Sequence, residues 1–112
     1  MNNFENLMFW VKSKKLAVDL YKIFEKNNDF WFKSQILRAV ISISNNIAEW
    51  FERQSNKEFK YFLFVSKWSC WEVRSMLYIA KDLWYIDEEL FKKFYSETIQ
   101  ISKMLSWFIK QL

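Results

Sequence analysis

The chain of 112 residues has no glycine, no proline and no histidine, and only one cysteine. Without histidine, a histidine-based catalytic triad and histidine zinc sites are excluded. Without glycine there is no glycine-rich phosphate loop and no dinucleotide fingerprint. Ordinary usage of about 7% would give roughly eight glycines in a chain of this length, so their absence itself calls for a reason. One cysteine cannot form an internal disulfide, which makes a reducing cytoplasm the expected compartment. Cys70 falls on the apolar face of its helix and reads as an inert packed thiol. Long apolar runs are also missing. A run such as Tyr61 to Val65 is far too short to span a bilayer. In Met1 to Lys15 the charges follow the apolar residues, the wrong order for a secretory signal.

What is present is apolar and aromatic. The composition is 52% apolar and 21% aromatic, so a disordered chain is excluded. One domain over residues 1–112 is expected. The net charge is +4 and the isoelectric point is near 9.2. The excess is even: eight basic against six acidic residues in 1–54, and nine against seven in 55–112. A polyanionic partner is compatible with this balance but not demanded by it.

Apolar spacing is helical throughout. A first helix is expected from about Leu7 to Lys26, with Trp10, Ala17, Leu20, Tyr21 and Phe24 on one side. Asn27-Asn28-Asp29 breaks it, because short polar side chains compete for the backbone. A second helix is expected from about Ser34 to Arg53. Ser55 and Glu58 form a capping box that starts a third helix, running to about Leu83. Asp87 is the expected N-cap of a fourth, reaching Gln111, with Phe91, Phe94, Ile101, Leu105, Phe108 and Leu112 inward. Short connections force antiparallel neighbours, so the fold class is all-α, an antiparallel up-down four-helix bundle. On helix two, Ile36, Val40, Ile43, Ile47 and Phe51 form a stripe. Leu37, Ile41 and Ala48 widen it on one flank and Ala39 on the other. That is more than the roughly 100° a lone bundle needs. The surplus predicts an oligomer, with flanks of helix two or helix one at the contact.

The stretch Ser42-Ile43-Ser44-Asn45-Asn46-Ile47-Ala48-Glu49-Trp50-Phe51, continuing to Phe59, resembles the core signature of the four-helix-bundle proteins encoded within 23S rRNA intervening sequences. A related group is the accessory variability determinant of diversity-generating retroelements. The resemblance extends to Leu7–Tyr21, Ser34–Ala39, Ala80–Ile86 and Ile101–Leu105. It implies a small, non-enzymatic homo-oligomer, a ring of five, with nucleic acid as its ligand. The family pattern has glycine where this chain has Trp50. Trp31, Trp68, Trp71, Trp84 and Trp107 also stand at expected glycine positions, whereas Trp10 matches a usual tryptophan. The expectation is an alternative genetic code: a source that reads UGA as glycine, with UGA translated here as tryptophan. True drift to tryptophan is the alternative. Residue 84 is the most telling, since a helix end before Asp87 needs a left-handed residue.

Two residue sets could carry a function. On helix two, Arg38, Ser42, Asn45, Glu49 and Arg53 form one polar line. The resemblance matches Arg38, Ser42, Asn46 and Glu49 to the family's polar face. Acids and bases alternate along the line, which favours a structural network, with Arg38 paired to Glu49 or Glu72. The other reading has Arg38 and Arg53 holding a phosphate or other ligand. On helix three, Lys60, Lys67, Arg74 and Lys81 recur every seven residues, and that spacing drifts only about 20° per repeat. Phe64, Trp71 and Tyr78 interleave with them, and Lys57 adds a charge. Charges for phosphates with flat rings for bases fit RNA or single-stranded DNA. A solvated face or a subunit contact would give the same spacing. Glu88 and Glu89 sit at a helix start, where carboxylates belong electrostatically, so no catalytic residue, cofactor or metal is expected. The leading expectation is an oligomeric nucleic-acid-binding protein. The alternatives are an adaptor that docks a reverse transcriptase and a purely structural oligomer.

Overall fold

A computed structural model describes residues 4–54 and 56–112. A short 3-10 turn, Phe4–Asn6, leads into α1, Met8–Phe24. The others are α2, Phe30–Glu52; α3, Tyr61–Asp82; and α4, Glu88–Lys110. They pack as an antiparallel bundle of 42 × 21 × 20 Å. That length is close to what a helix of 23 residues spans, about 35 Å.

Two of the four helices, α2 and α4, begin where the sequence supplies a side-chain acceptor. Asp29 is the N-cap of α2, its carboxylate accepting from the Phe32 amide at 3.0 Å. The predicted breaker is therefore also the starter, and α2 begins one turn before the expected Ser34. Asp29 also accepts from the Tyr85 hydroxyl at 2.6 Å. That bond ties the α1–α2 and α3–α4 connections together at one end of the bundle. Hydrogen bonds from Tyr85 first, then the Phe32 amide, hold the Asp29 carboxyl below its usual range. Asp87 caps α4 as expected, accepting from the Leu90 amide at 2.8 Å. The cap predicted at Ser55 lies outside the described residues. Beside it, Asn56 accepts from the Glu58 amide at 2.7 Å and starts a 3-10 turn, Lys57–Phe59. So α3 begins at Tyr61 rather than at the capping box.

The core is one cluster running the length of the bundle. Leu16, Leu20 and Phe24 of α1 meet Ile36, Val40, Ile43 and Ile47 of α2. Leu63, Val73 and Leu77 of α3 meet Phe94, Ile101 and Leu105 of α4. Tyr21, expected inward, is exposed, and Phe9 and Leu16 take its place. Of the flanks that made α2 look too apolar, Leu37 and Ala39 are buried within the bundle. Ile41 stays 37% exposed. Cys70 is buried, and burial pushes its thiol up to about 12. It is unionised at neutral pH and unreactive.

α3 ends in a motif that asks for glycine. The Trp84 amide donates to the Lys81 carbonyl at 3.0 Å and the Tyr85 amide to the Ala80 carbonyl at 2.8 Å. This is the Schellman pattern, whose closing residue is left-handed. Trp84 fills it at φ 65° with its side chain 90% exposed. The sequence foresaw this position. It did not foresee Gln54, which takes φ 68° at the end of α2. Trp50 is in conflict of another kind. Its ring is 1% exposed and packs on Phe108 with centroids 5.2 Å apart, yet its indole N–H has no acceptor among the described residues.

Since left-handed backbone costs a residue with a Cβ roughly 1–2 kcal/mol, Trp84→Gly is expected to stabilise the protein by about 1 kcal/mol. A urea unfolding midpoint that stays put or falls would contradict the strain.

Candidate nucleic-acid interface

The rotation of α3 about its axis is set by its contact with α2. Ser66 donates to the Ile43 carbonyl at 2.8 Å, and Ser69 donates to the Ser42 hydroxyl at 2.9 Å. The Asn46 side-chain amide donates to the Ser42 carbonyl at 2.9 Å and to its hydroxyl at 3.0 Å. Small side chains let the two backbones approach, and each buried hydroxyl is satisfied. With Ser66 and Ser69 turned to α2, the opposite flank of α3 turns to α4.

That flank carries Lys60, Lys67, Arg74 and Lys81, all four half-buried. The placement is anchored at Lys81, whose ammonium lies 4.5 Å from the Phe91 ring centre and 3.6 Å from Glu88 on α4. Helical repetition carries the same flank back through Arg74 and Lys67 to Lys60. Beside it, Tyr78 packs against Phe91 at 4.8 Å and Tyr95 at 5.8 Å. Trp71 and Tyr78 are each 49% exposed. At the Lys60 end, Lys57, Lys60, Tyr61, Phe64 and Trp68 line a shallow cavity of about 390 Å³ with Glu58. The predicted basic and aromatic residues of α3 therefore do share one surface.

Electrostatics separate this surface from the other charged cleft. Between α1 and α4, Lys12, Lys15, Lys93, Ser96, Glu97 and Gln100 line a cavity of about 360 Å³. There Asp19 takes Lys15 at 2.9 Å and Lys93 at 3.9 Å. Burial raises the Glu97 carboxyl above its usual range, against the pull of the neighbouring lysines. In that cleft three lysines have two carboxylates, Asp19 and Glu97, among them. Along α3, only Lys81 has a carboxylate within ion-pair distance among the described residues. One guanidinium nitrogen of Arg74 is buried with no acceptor among the described residues. An unmatched buried donor of this kind is costly unless something supplies an acceptor.

The polar line of α2 does not assemble as expected. Ser42 and Asn46 join the network with Ser69. Asn45 stays exposed outside it. Glu49 pairs with Arg53 at 2.8 Å, so the expected Arg38–Glu49 pair does not form. Glu72 does not pair with Arg38 either, and among the described residues Arg38 makes no ion pair. Arg53 lies over the rings of Phe59 and Phe62 at 5.2 and 5.0 Å. Arg38 and Arg53 are separated by about four helical turns and neither joins the α3 line. Ser66 and Ser69 were missed. Their signal was two small polar residues, three apart, on an otherwise apolar helix face.

Comparison with known proteins agrees with this architecture. A family model described as 23S rRNA-intervening sequence protein matches residues 5–107. A solved structure, at 1.70 Å, of a protein with unknown function from the S23 ribosomal protein family of Bacteroides thetaiotaomicron superposes with a TM-score of 0.84. It is 28% identical, over 92% of this chain and 99% of that one. A search of curated proteins found no match.

Proposed function

We propose, from the premise that the chain belongs to the 23S rRNA-intervening sequence protein family, that it binds nucleic acid through the basic line of α3. One observation carries the reading: Lys60, Lys67 and Arg74 lie half-buried in a row with no carboxylate within ion-pair distance among the described residues. A phosphate backbone supplies the missing acceptors. Each phosphate neutralised releases counterions, so binding falls steeply with salt. Lysines on phosphates carry no base information, so sequence preference is slight. The double variant Lys60→Glu with Lys67→Glu is expected to abolish binding of mixed RNA at low salt, read by fluorescence anisotropy, with helicity unchanged. Equal binding by the variant would make the line a solvated face and leave a protein-docking role in its place.

We propose also that the protein self-associates, as a homopentamer, through the outer face of α1 and α2. Val11, Val18 and Tyr21 of α1 and Ile41 of α2 remain exposed there, apolar surface the bundle does not use. A ring repeats the basic line and raises affinity through effective concentration. Ile41→Glu is expected to shift the species seen by light scattering towards 13.9 kDa, because a carboxylate buried at a contact is costly. A wild-type protein that is already monomeric at micromolar concentration would refute the assembly.

A third proposal concerns the residues themselves: Trp31, Trp50, Trp68, Trp71, Trp84 and Trp107 are glycine codons, UGA, read as tryptophan. The left-handed Trp84, the orphaned indole of Trp50 and the exposure of the other four support it. The basic line does not depend on it, since Phe64, Tyr78 and Tyr95 remain. The gene decides the matter, with UGG at most of the six positions as the contradicting result.

A further inference from the structure

Resting on the nucleic-acid reading above, we infer that the α3–α4 surface takes a single strand with unstacked bases rather than a duplex, and that Arg74 is its fixed phosphate contact. The charges alone would not discriminate. A duplex offers phosphates more densely than a single strand does, and a bare row of lysines would favour it. The rings are what discriminate. Tyr78 stands next to Arg74 and Lys81 on the surface, half exposed, and is held from behind by Phe91 and Tyr95. A ring braced in this way offers a flat face at little entropic cost. In a duplex, bases are stacked on each other and present no face to it. In a single strand they stack on aromatic side chains without regard to sequence.

The dimensions agree. Successive charges are about 10.5 Å apart along the helix, and Lys60 to Lys81 spans about 31 Å. Stacked nucleotides advance about 3.4 Å per strand and unstacked ones further, so such a line meets at most about nine of them, within the range of about 4–16 known for single-strand sites. Arg74 differs from the three lysines. One of its guanidinium nitrogens is buried, with no acceptor among the described residues, so its fork is held in place by packing before any ligand arrives. A phosphate oxygen would meet the part of this half-buried side chain that stays at the surface, with little further loss of side-chain freedom. A planar fork held this way suits phosphate better than a flexible ammonium.

The test uses the full chain and labelled oligonucleotides of about 12 nucleotides, within the single-strand site range. Oligouridylate, oligothymidylate and a duplex of matched length are compared by anisotropy across a salt series. Both single strands are expected to bind, at least about tenfold tighter than the duplex, a margin that stacking of a single base can supply. Tyr78→Leu keeps an apolar side chain on Phe91 and is expected to reduce single-strand affinity about tenfold without moving duplex binding. Arg74→Gln is expected to lower the salt slope for the single strand by about 0.7, one phosphate contact. A duplex that binds as tightly as the single strands, or a Tyr78→Leu variant that weakens both alike, overturns the single-strand inference and leaves nucleic-acid binding standing. An unchanged salt slope in Arg74→Gln overturns its role as the fixed contact. No binding of any of the three probes overturns both readings together.

Discussion

Much of this structure depends on four polar side chains at the contact of α2 with α3. Ser69 on Ser42, Ser66 on the Ile43 carbonyl and Asn46 on Ser42 form a satisfied network at the edge of a largely apolar interior. Each hydrogen bond contributes only about 1 kcal/mol net. Their larger effect is on register. A buried hydroxyl left without its acceptor would cost about 1–3 kcal/mol, so slippage or rotation of α3 is opposed at two adjacent turns. That rotation decides which residues face α4. If α3 turned by one residue, about 100°, Lys67 and Arg74 would leave the seam. The serines thus place the charges, although none of them touches the proposed ligand.

The charges then separate by their surroundings. Between α1 and α4, two lysines share the Asp19 carboxylate. On α3 the bases are brought together on a flank where, among the described residues, only Lys81 has a carboxylate within ion-pair distance, that of Glu88. Net charge is shared evenly between the halves of the chain, so composition gives no hint of this asymmetry. It arises from folding alone. The aromatic residues follow the same logic. Tyr78, Phe91 and Tyr95 lie on two helices and form one cluster only because α3 and α4 are antiparallel neighbours.

The sequence made the fold legible wherever a local rule acts alone. Helical periodicity, the Asp87 cap and the left-handed requirement at residue 84 each depend on a few neighbouring residues. The start of α2 was misplaced because Asn27-Asn28-Asp29 was read as a break, when its last carboxylate is also the cap. Tyr21 was placed inward because an amphipathic ring fits either side of a boundary, and only packing assigns it. The seven-residue spacing on α3 was visible. Its orientation was not, because that is fixed by Ser66 and Ser69 reaching another helix. The Arg38 pairing failed for a simple reason: Glu49 has Arg53 one turn away on its own helix, and a local partner wins over a distant one.

The most direct measurement of the central claim is a map of backbone amide shifts when an oligonucleotide is titrated into the isotopically labelled protein. The account predicts changes concentrated on α3 between Lys60 and Lys81 and on α4 around Phe91 and Tyr95, with α1 and the outer face of α2 unmoved. Changes centred on Arg38 and Arg53, or on the α1–α4 cleft, would contradict it.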